Sequence, residues 1–164
     1  MSLHDMKVSD IMVKEVVAIR PGATIPELCR VLAQHNITGV PVVAEGGRLV
    51  GIVSQKDVMA RQMLRDEELL QDAELYELLV APQIDPRERD FAGRFVVVEE
   101  IMTRNVVTAR PRMSLAETAR LLVKHRISRL PVVERGRLVG IVTPFDILRV
   151  LARGTGKGDK ESDF

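Results

Sequence analysis

The chain contains two copies of one sequence pattern, about 90 residues apart. Residues 11–12, 41–43 and 47–53 of the first copy return with the same residue types at 101–102, 131–133 and 136–142. A repeat of this length predicts two similar supersecondary units that complete a core together, related by a pseudo-twofold axis. Because ligands bind preferentially in clefts, a crevice between the two units is the place where a site is expected.

The composition limits the class of partner. Of the 164 residues, 46% are hydrophobic and 29% are charged, which is typical of a globular chain. A formal net charge of +1 creates no field that would attract nucleic acid or an anionic membrane, so small molecules or proteins are the expected partners. The apolar runs are far shorter than the ~20 residues of a membrane helix and no signal pattern is present, so a soluble cytoplasmic protein is expected. The single cysteine, Cys29, excludes an intrachain disulfide and is expected to be a buried packing residue.

Each copy predicts a strand, a helix, a hairpin and a second helix. The β-branched runs at 16–19 and 106–109, which end at Arg-Pro, predict short first strands. Thr24 and Ser114 are each followed three residues later by glutamate, the spacing of a capping box at a helix start. The apolar stripes expected to face the core are Leu28, Val31 and Leu32 in the first copy and Ala119, Leu122 and Val123 in the second.

The second half of each copy predicts a β-hairpin and a helix with an acidic first turn. Two β-branched runs separated by a short glycine-containing turn are typical of a hairpin. The next helix follows from Ser54 or Thr143, with Asp57 or Asp146 near its start, where the helix dipole favours negative charge. Each unit is thus expected to be βαββα. Neither could bury both faces of its sheet alone, so an α+β fold is predicted in which the two repeats pack sheet to sheet as one pseudo-twofold module.

The repeats set the expected domain boundaries. The first domain is predicted at 6–61, a partly helical connecting insertion at 62–95, the second domain at 96–151 and a disordered tail at 152–164. The insertion is equally compatible with a lid, a dimer contact or a linker. The tail contains too little apolar surface to offset the entropy cost of ordering it.

Two nine-residue motifs resemble a known family. Residues 51–59 and 140–148 both follow the pattern Gly-hydrophobic-x-Ser/Thr-x-x-Asp-hydrophobic-hydrophobic. This pattern is similar to the nucleotide-binding signature of CBS (cystathionine-β-synthase) domains, and the two copies together resemble the tandem pair called a Bateman module. The resemblance covers about residues 6–60 and 96–151. It does not extend to the insertion or the tail.

The resemblance implies a regulatory module and no enzymatic activity. Such modules bind adenosine-containing ligands (AMP, ADP, ATP, NAD or S-adenosylmethionine) in clefts between two repeats. They need no cofactor or metal, commonly form homodimers, and pass the state of the ligand to another protein. For this chain the regulated protein would be a separate one, with no nucleic acid and no membrane as partner.

The resemblance also implies the site residues. The Asp57 site would combine Ser54, Asp57, Thr108 and Arg129, and the Asp146 site would combine Thr143, Asp146, Ala18 and Gly39. A carboxylate at a helix start can accept both hydrogen bonds of a ribose diol, and bonds to a charged acceptor are the stronger ones. The nearby hydroxyl and helix N-terminal amides can bind phosphate oxygens. Because Ala18 and Gly39 lack polar side chains, phosphate is expected mainly at the Asp57 site, with Lys56 as an additional candidate contact.

Two other classes of function stay open. The first is a nucleotide-processing enzyme, although the sequence contains no metal-ligand spacing, P-loop or nucleophile–base pair. The second is a nucleic-acid-binding protein that uses the arginines at 126, 129, 135 and 137, against which the near-neutral charge and the 3% aromatic content weigh. The two aspartates could also act only as helix-start charges, a stabilisation of about 0.3–1 kcal/mol each.

Overall fold

The computed structural model describes residues 6–65 and 96–154. The predictions for most of the connecting insertion and for the end of the tail lie outside these residues. In chain order the elements are α1 (Val8–Ile11), α2 (Ile25–Gln34), β1 (Gly39–Ala44), a 3-10 turn (Glu45–Gly47), β2 (Arg48–Ser54), α3 (Gln55–Arg65), α4 (Val98–Ile101), α5 (Leu115–His125), β3 (Leu130–Glu134), β4 (Arg137–Val142) and α6 (Pro144–Gly154). The predicted α+β class is confirmed.

The chain forms two compact units. The first unit is Val17–Val106, and the second unit combines the chain up to Val16 with the chain from Val107 onward. Each unit therefore contains the hairpin and both long helices of one repeat, together with the short helix that opens the other repeat. Helix α4 lies in the first unit and helix α1 lies in the second.

The first unit is built around the β1–β2 hairpin. These strands pair antiparallel, with Gly39 opposite Ser54 and a bulge between Val42 and Val43. The predicted first strand is reduced to a single parallel bridge, in which the Ile19 N–H donates to the Pro41 carbonyl at 3.0 Å and the Val43 N–H donates to the Ile19 carbonyl at 2.8 Å. Only Ile19 bonds to β1, because Arg20 and Pro21 turn the chain towards α2.

The second unit repeats this arrangement. Strands β3 and β4 pair antiparallel, with Leu130 opposite Val142, and Ala109 forms the parallel bridge to Val132. The hairpin turns through Arg135 and Gly136, whose φ angles of 51° and 78° are both positive. Two positive φ angles in a two-residue loop match the right-handed twist of the flanking strands, which is why glycine occupies this turn.

Each repeat begins with an opening segment, which contains α1 in the first repeat and α4 in the second. Backbone hydrogen bonds join these opening segments to the units. In the second unit, the Val8 N–H donates to the Met113 carbonyl at 2.9 Å, and Val13 and Ile141 exchange a pair of bonds at 2.9 and 3.0 Å. In the first unit, Thr103 and Ile52 exchange an equivalent pair at 2.9 and 3.0 Å. Val8 and Val98 are fully buried. Burying one such side chain is worth about 1.5–3 kcal/mol, so both units depend on a segment that is distant in sequence.

The long helices start as the sequence predicts but bury a partly different face. The capping boxes at Thr24 and Ser114 are both present. Leu28 and Leu32 are buried as expected, whereas Val123 is 78% exposed, so its assignment to the buried stripe was wrong. The inward face of α5 is formed by Leu115, Thr118 and Leu122. Thr118 can be buried because its hydroxyl donates to the Ser114 carbonyl at 2.8 Å.

Candidate functional site

The first unit has a Ser-x-x-Asp turn where β2 meets α3, called here the first tip (Ser54–Asp57). Ser54 ends the strand and Gln55 begins the helix. The Asp57 Oδ2 atom accepts hydrogen bonds from the Ser54 backbone N–H at 2.7 Å and from the Ser54 hydroxyl at 2.8 Å. The other carboxylate oxygen, Oδ1, takes no part in these two bonds. Asp57 as a whole is half-buried.

The second unit has the same turn where β4 meets α6, called here the second tip (Thr143–Asp146). The Asp146 Oδ2 atom accepts bonds from the Thr143 backbone N–H at 2.8 Å and from the Thr143 hydroxyl at 2.7 Å. Asp146 is only 7% exposed. Burying a carboxylate is costly unless hydrogen bonds replace its hydration, and these two bonds supply part of that replacement. Both aspartates are therefore fixed in the same local geometry.

The side chains beside the two aspartates differ. In the first tip the residue before Asp57 is Lys56, which is exposed. In the second tip the residue before Asp146 is Phe145, which is 64% exposed. The Arg149 guanidinium carbon lies 5.1 Å from the centroid of the Phe145 ring, a cation–π distance.

The hairpins place one further predicted site residue near each turn. Gly39 is buried and is the Cα partner of Ser54. Arg129 directly precedes Leu130, whose partner Val142 directly precedes Thr143. The sequence analysis allocated Gly39 to the Asp146 site and Arg129 to the Asp57 site. That allocation stays a prediction, whereas the described geometry places each residue at the start of a hairpin strand in its own repeat.

The eight predicted site residues divide equally between the units. The first unit contains Ala18, Gly39, Ser54 and Asp57, and the second unit contains Thr108, Arg129, Thr143 and Asp146. Ala18 is exposed and Thr108 is half-buried, and each directly precedes the residue that bridges to its hairpin. Burial lowers the pKa of the Arg129 guanidinium from its ordinary value. An arginine nevertheless stays protonated at neutral pH, so Arg129 is a half-buried cation.

The glycine of each signature motif is explained by a close methionine contact that the sequence analysis missed. A Cβ atom on Gly51 would lie 2.5 Å from the Met102 Sδ atom, and a Cβ atom on Gly140 would lie 2.5 Å from the Met12 Sδ atom. Both methionines come from the opening segments, and Met102 is buried. The repeated Ile-Met dipeptide at 11–12 and 101–102 was the available signal for this contact.

Two kinds of feature are absent from the described residues. Among the described residues, no three histidine, cysteine, aspartate or glutamate side chains are grouped so that they could hold a metal ion. Within the ranges 6–65 and 96–154, no helix has the length and apolar character needed to cross a membrane.

The repeats match one protein family. The model of the CBS domain family matches residues 8–63 and 98–153, which contain both signature motifs and both tips. The chain belongs to the CBS domain family, as a tandem pair. The family assignment made from the motifs is therefore confirmed.

Curated relatives fall into two groups by length. The chain is 34% identical over 154 residues to uncharacterized protein MJ1426 of Methanocaldococcus jannaschii, covering 89% of this chain and 91% of the relative. It is 30% identical over 140 residues to CBS domain-containing protein YhcV of Bacillus subtilis, covering 85% and 81%. The homoserine O-acetyltransferase of Methanohalobium evestigatum is 32% identical over 145 residues, covering 88% of this chain and 24% of the enzyme. The chain thus spans about a quarter of that enzyme.

Solved structures share the fold. The CBS domain pair of protein MJ0100, in complex with 5′-methylthioadenosine and S-adenosyl-L-methionine, has a TM-score of 0.66 and 31% identity, covering 91% of this chain and 98% of that chain. CBSX2 from Arabidopsis thaliana has a TM-score of 0.70 and 26% identity, covering 93% and 98%. A CBSX2 complex with AMP has a TM-score of 0.68 at 24% identity, covering 91% and 98%, and shows the fold alone. The predicted fold of two CBS-type repeats is confirmed.

Proposed function

We propose that this protein is a regulatory module that binds adenosine-containing ligands at its two tips and passes the ligand state to a partner protein. The observation that carries the proposal is the pair of matching Ser/Thr-x-x-Asp turns, whose hydrogen bonds agree to about 0.1 Å. In each turn the serine or threonine binds one carboxylate oxygen of the aspartate, Oδ2. The same pair of bonds also closes the capping boxes at Thr24 and Ser114, but only the turns at Ser54 and Thr143 lie in the two signature motifs within the residues that match the family.

The fixed carboxylates suit a ribose. A cis-diol presents two hydroxyl donors, and an anchored carboxylate can accept both without losing side-chain entropy on binding. The hydroxyl groups of Ser54 and Thr143 donate their protons to hydrogen bonds with the aspartates. Their oxygen lone pairs and the nearby helix amides then contribute to the polar surroundings of the ligand. The complex of the MJ0100 domain pair with two adenosyl compounds, at 31% identity, supports this ligand class.

The module acts by binding and not by chemistry. A ligand can signal only if it binds two conformations with different affinity, so the regulated protein must distinguish those conformations. The residues that would complete each site, Thr108 and Arg129 for Asp57 and Ala18 and Gly39 for Asp146, are part of this proposal. Mass-spectrometric detection of nucleotide turnover by the purified protein would contradict it.

A homodimer in the cytoplasm completes the proposal. Helix α6 exposes Phe145, Leu148 and Leu151 by 64%, 59% and 43%, an apolar face that a second copy would bury. The single cysteine, buried as Cys29, suits a reducing compartment. Size-exclusion chromatography with light scattering measures the assembly, and a monomer across the working concentration range would contradict the dimer.

Calorimetric titration with AMP, ATP, NAD and S-adenosylmethionine tests the binding function. Replacing Asp57 or Asp146 by alanine removes a charged acceptor, and we expect about a 10- to 100-fold loss of affinity at the affected tip. The Asp57→Ala substitution should weaken phosphate-bearing ligands more than Asp146→Ala. Glu45→Ala removes an exposed acid from the turn after β1 and is the matched control, with unchanged affinity. Absence of binding by the wild-type protein would refute the function.

A further inference from the structure

The two hairpin turns differ at one backbone position. In the first turn, Gly46 and Gly47 have φ angles of 70° and 79°, and in the second turn Arg135 and Gly136 have φ angles of 51° and 78°. Glycine adopts this left-handed region freely, whereas the Cβ atom of an arginine comes close to a carbonyl oxygen there. Arg135 is exposed, so packing does not explain why an arginine occupies this position. An unfavourable backbone conformation of this kind points to a function of the side chain.

Arg135 lines an open cavity at the end of the β3–β4 hairpin. The cavity has a volume of about 540 Å³, and the described residues that line it are Glu134, Arg135, Arg137 and Val139. Glu134 and Arg137 are Cα partners at the end of the hairpin, and both are exposed. Within the described part of the chain, no acidic side chain forms an ion pair with Arg135 or Arg137. Both cations can therefore bind carboxylates of another molecule.

The charge of the second unit favours an acidic partner. Its described residues include 12 lysines and arginines and 5 aspartates and glutamates, whereas those of the first unit include 7 and 5. A basic surface attracts an acidic partner during encounter and disfavours basic ones. The hairpin end of the second unit is thus the better docking surface for an anionic molecule.

The lining of the cavity favours a protein segment over a nucleic acid. Glu134 repels the phosphates of a nucleic acid, but it accepts hydrogen bonds from the N–H and O–H donors of a peptide. Val139 adds an apolar contact. Phe145, the one aromatic residue among the described residues, follows the opposite end of β4, so no described ring lies at the turn for bases to stack on.

We propose that the end of the β3–β4 hairpin binds an acidic segment of the protein that this module regulates. Arg135 and Arg137 bind carboxylates of the segment, and each guanidinium can form two parallel N–H···O bonds with one carboxylate. Glu134 accepts a hydrogen bond from a peptide N–H of the segment. This inference rests on the proposed function, because the bound protein is the one that receives the ligand state.

Fluorescence anisotropy with a labelled peptide of four Glu-Ser repeats tests this surface. We expect the wild-type protein to bind the peptide at low ionic strength and to release it as salt is added. Arg137→Gln should weaken binding about three- to tenfold, because it removes one charged donor. Arg48→Gln changes the corresponding exposed arginine of the first hairpin and is the matched control, with unchanged binding.

Replacing Arg135 by glycine separates a binding role from a structural one. Arg135→Gly gives the second turn the two glycines of the first, so the free energy of unfolding should stay unchanged or rise. Peptide binding should nevertheless fall about three- to tenfold. A loss of both stability and binding would show that the side chain acts through the fold, and would overturn the inference.

Other occupants of the surface give different results. Equal or tighter binding of octathymidylate, weakened by Arg137→Gln, would assign the surface to a nucleic acid and overturn the inference. Absence of peptide binding by the wild-type protein would also overturn it, and is expected if the chain's own residues 66–95, which include nine aspartates and glutamates, occupied the hairpin. If the wild-type protein binds the peptide but no adenosyl ligand, the proposed function fails and the docking surface is retained.

Discussion

Replacing Gly51 by alanine tests how the opening segment is held in the first unit. The added Cβ atom would lie 2.5 Å from the Met102 Sδ atom, 2.9 Å from its Cγ atom and 3.1 Å from the Thr103 carbonyl oxygen. The thioether can rotate, but Met102 is buried and the Thr103 carbonyl accepts a backbone bond from Ile52, so the segment cannot simply withdraw. Forcing a methyl group into a filled core usually costs about 1–3 kcal/mol.

An opposing effect reduces this cost. Alanine lowers the entropy of the unfolded chain, which stabilises the folded state by about 0.4–1 kcal/mol. We therefore expect Gly51→Ala to lower the free energy of unfolding by about 1–2 kcal/mol, or the Tm by about 2–8 °C. Urea denaturation followed by circular dichroism measures the loss. Gly22→Ala is the matched control, because nothing lies within 4 Å of a Cβ atom there, and it should be neutral or slightly stabilising.

A double-mutant cycle identifies the contact responsible. Met102→Ala alone should destabilise the protein by about 2–5 kcal/mol, because it leaves a cavity in a buried cluster. In that background Gly51→Ala should cost little or become favourable, since the new methyl group enters the vacated space. If Gly51→Ala is as stable as wild type, or if its cost is the same with and without Met102, the steric explanation of the motif glycine is refuted.

Three further predictions concern single side chains. Arg129→Ala should weaken the binding of AMP more than the binding of adenosine. If Arg129 belongs to the Asp57 site, its effect on AMP affinity should be non-additive with that of Asp57→Ala in a calorimetric double-mutant cycle. Additive effects with Asp57→Ala, together with non-additive effects with Asp146→Ala, would contradict this allocation. Burial raises the pKa of the Cys29 thiol to about 11, so its alkylation at neutral pH should be far slower in native protein than in urea, and equal rates would show that it is not buried. The hydrogen bonds that Glu27 accepts from the Thr24 backbone N–H and hydroxyl lower the pKa of Glu27. The ionised carboxylate therefore stabilises the fold at pH values above its unfolded pKa of about 4.5. This contribution is lost as the pH falls through the lowered pKa of the folded state. Glu27→Gln should reduce the slope of stability against pH in that window, and an unchanged slope would contradict the assignment.

The sequence predicted what depends on local spacing. The capping boxes at Thr24 and Ser114 are visible as hydroxyl-x-x-glutamate patterns and were confirmed, because such a cap needs only residues within one turn. The hairpins were confirmed for the same reason, since glycine and β-branched residues fix a turn and its strands locally. Cys29 was correctly predicted to be buried. Family membership followed from two signature motifs, each of which is a run of nine consecutive residues.

The sequence did not predict what depends on distant partners. The periodicity of α5 is compatible with an inward Val123. The buried face is instead Leu115, Thr118 and Leu122, of which Leu122 lies in one core cluster with Leu130, Val132 and Val142 of the β3–β4 hairpin. The first strands are shorter than their β-branched runs suggest, because only Ile19 and Ala109 meet a strand edge. The exchange of α1 and α4 between the repeats was also missed, since hydrophobic patterning states that a segment is buried but not where.

The repeat is the unit that recurs in the sequence. Because α1 and α4 are exchanged, it is not a unit that folds by itself. A gene fragment that ends after α3 would encode the helix α1 needed by the second unit and would lack the helix α4 needed by the first. Two such half-length chains, made separately, would each leave an unfilled groove and would each hold the segment that fills the groove of the other. A single half would therefore need a second half-length chain to supply the helix that it lacks.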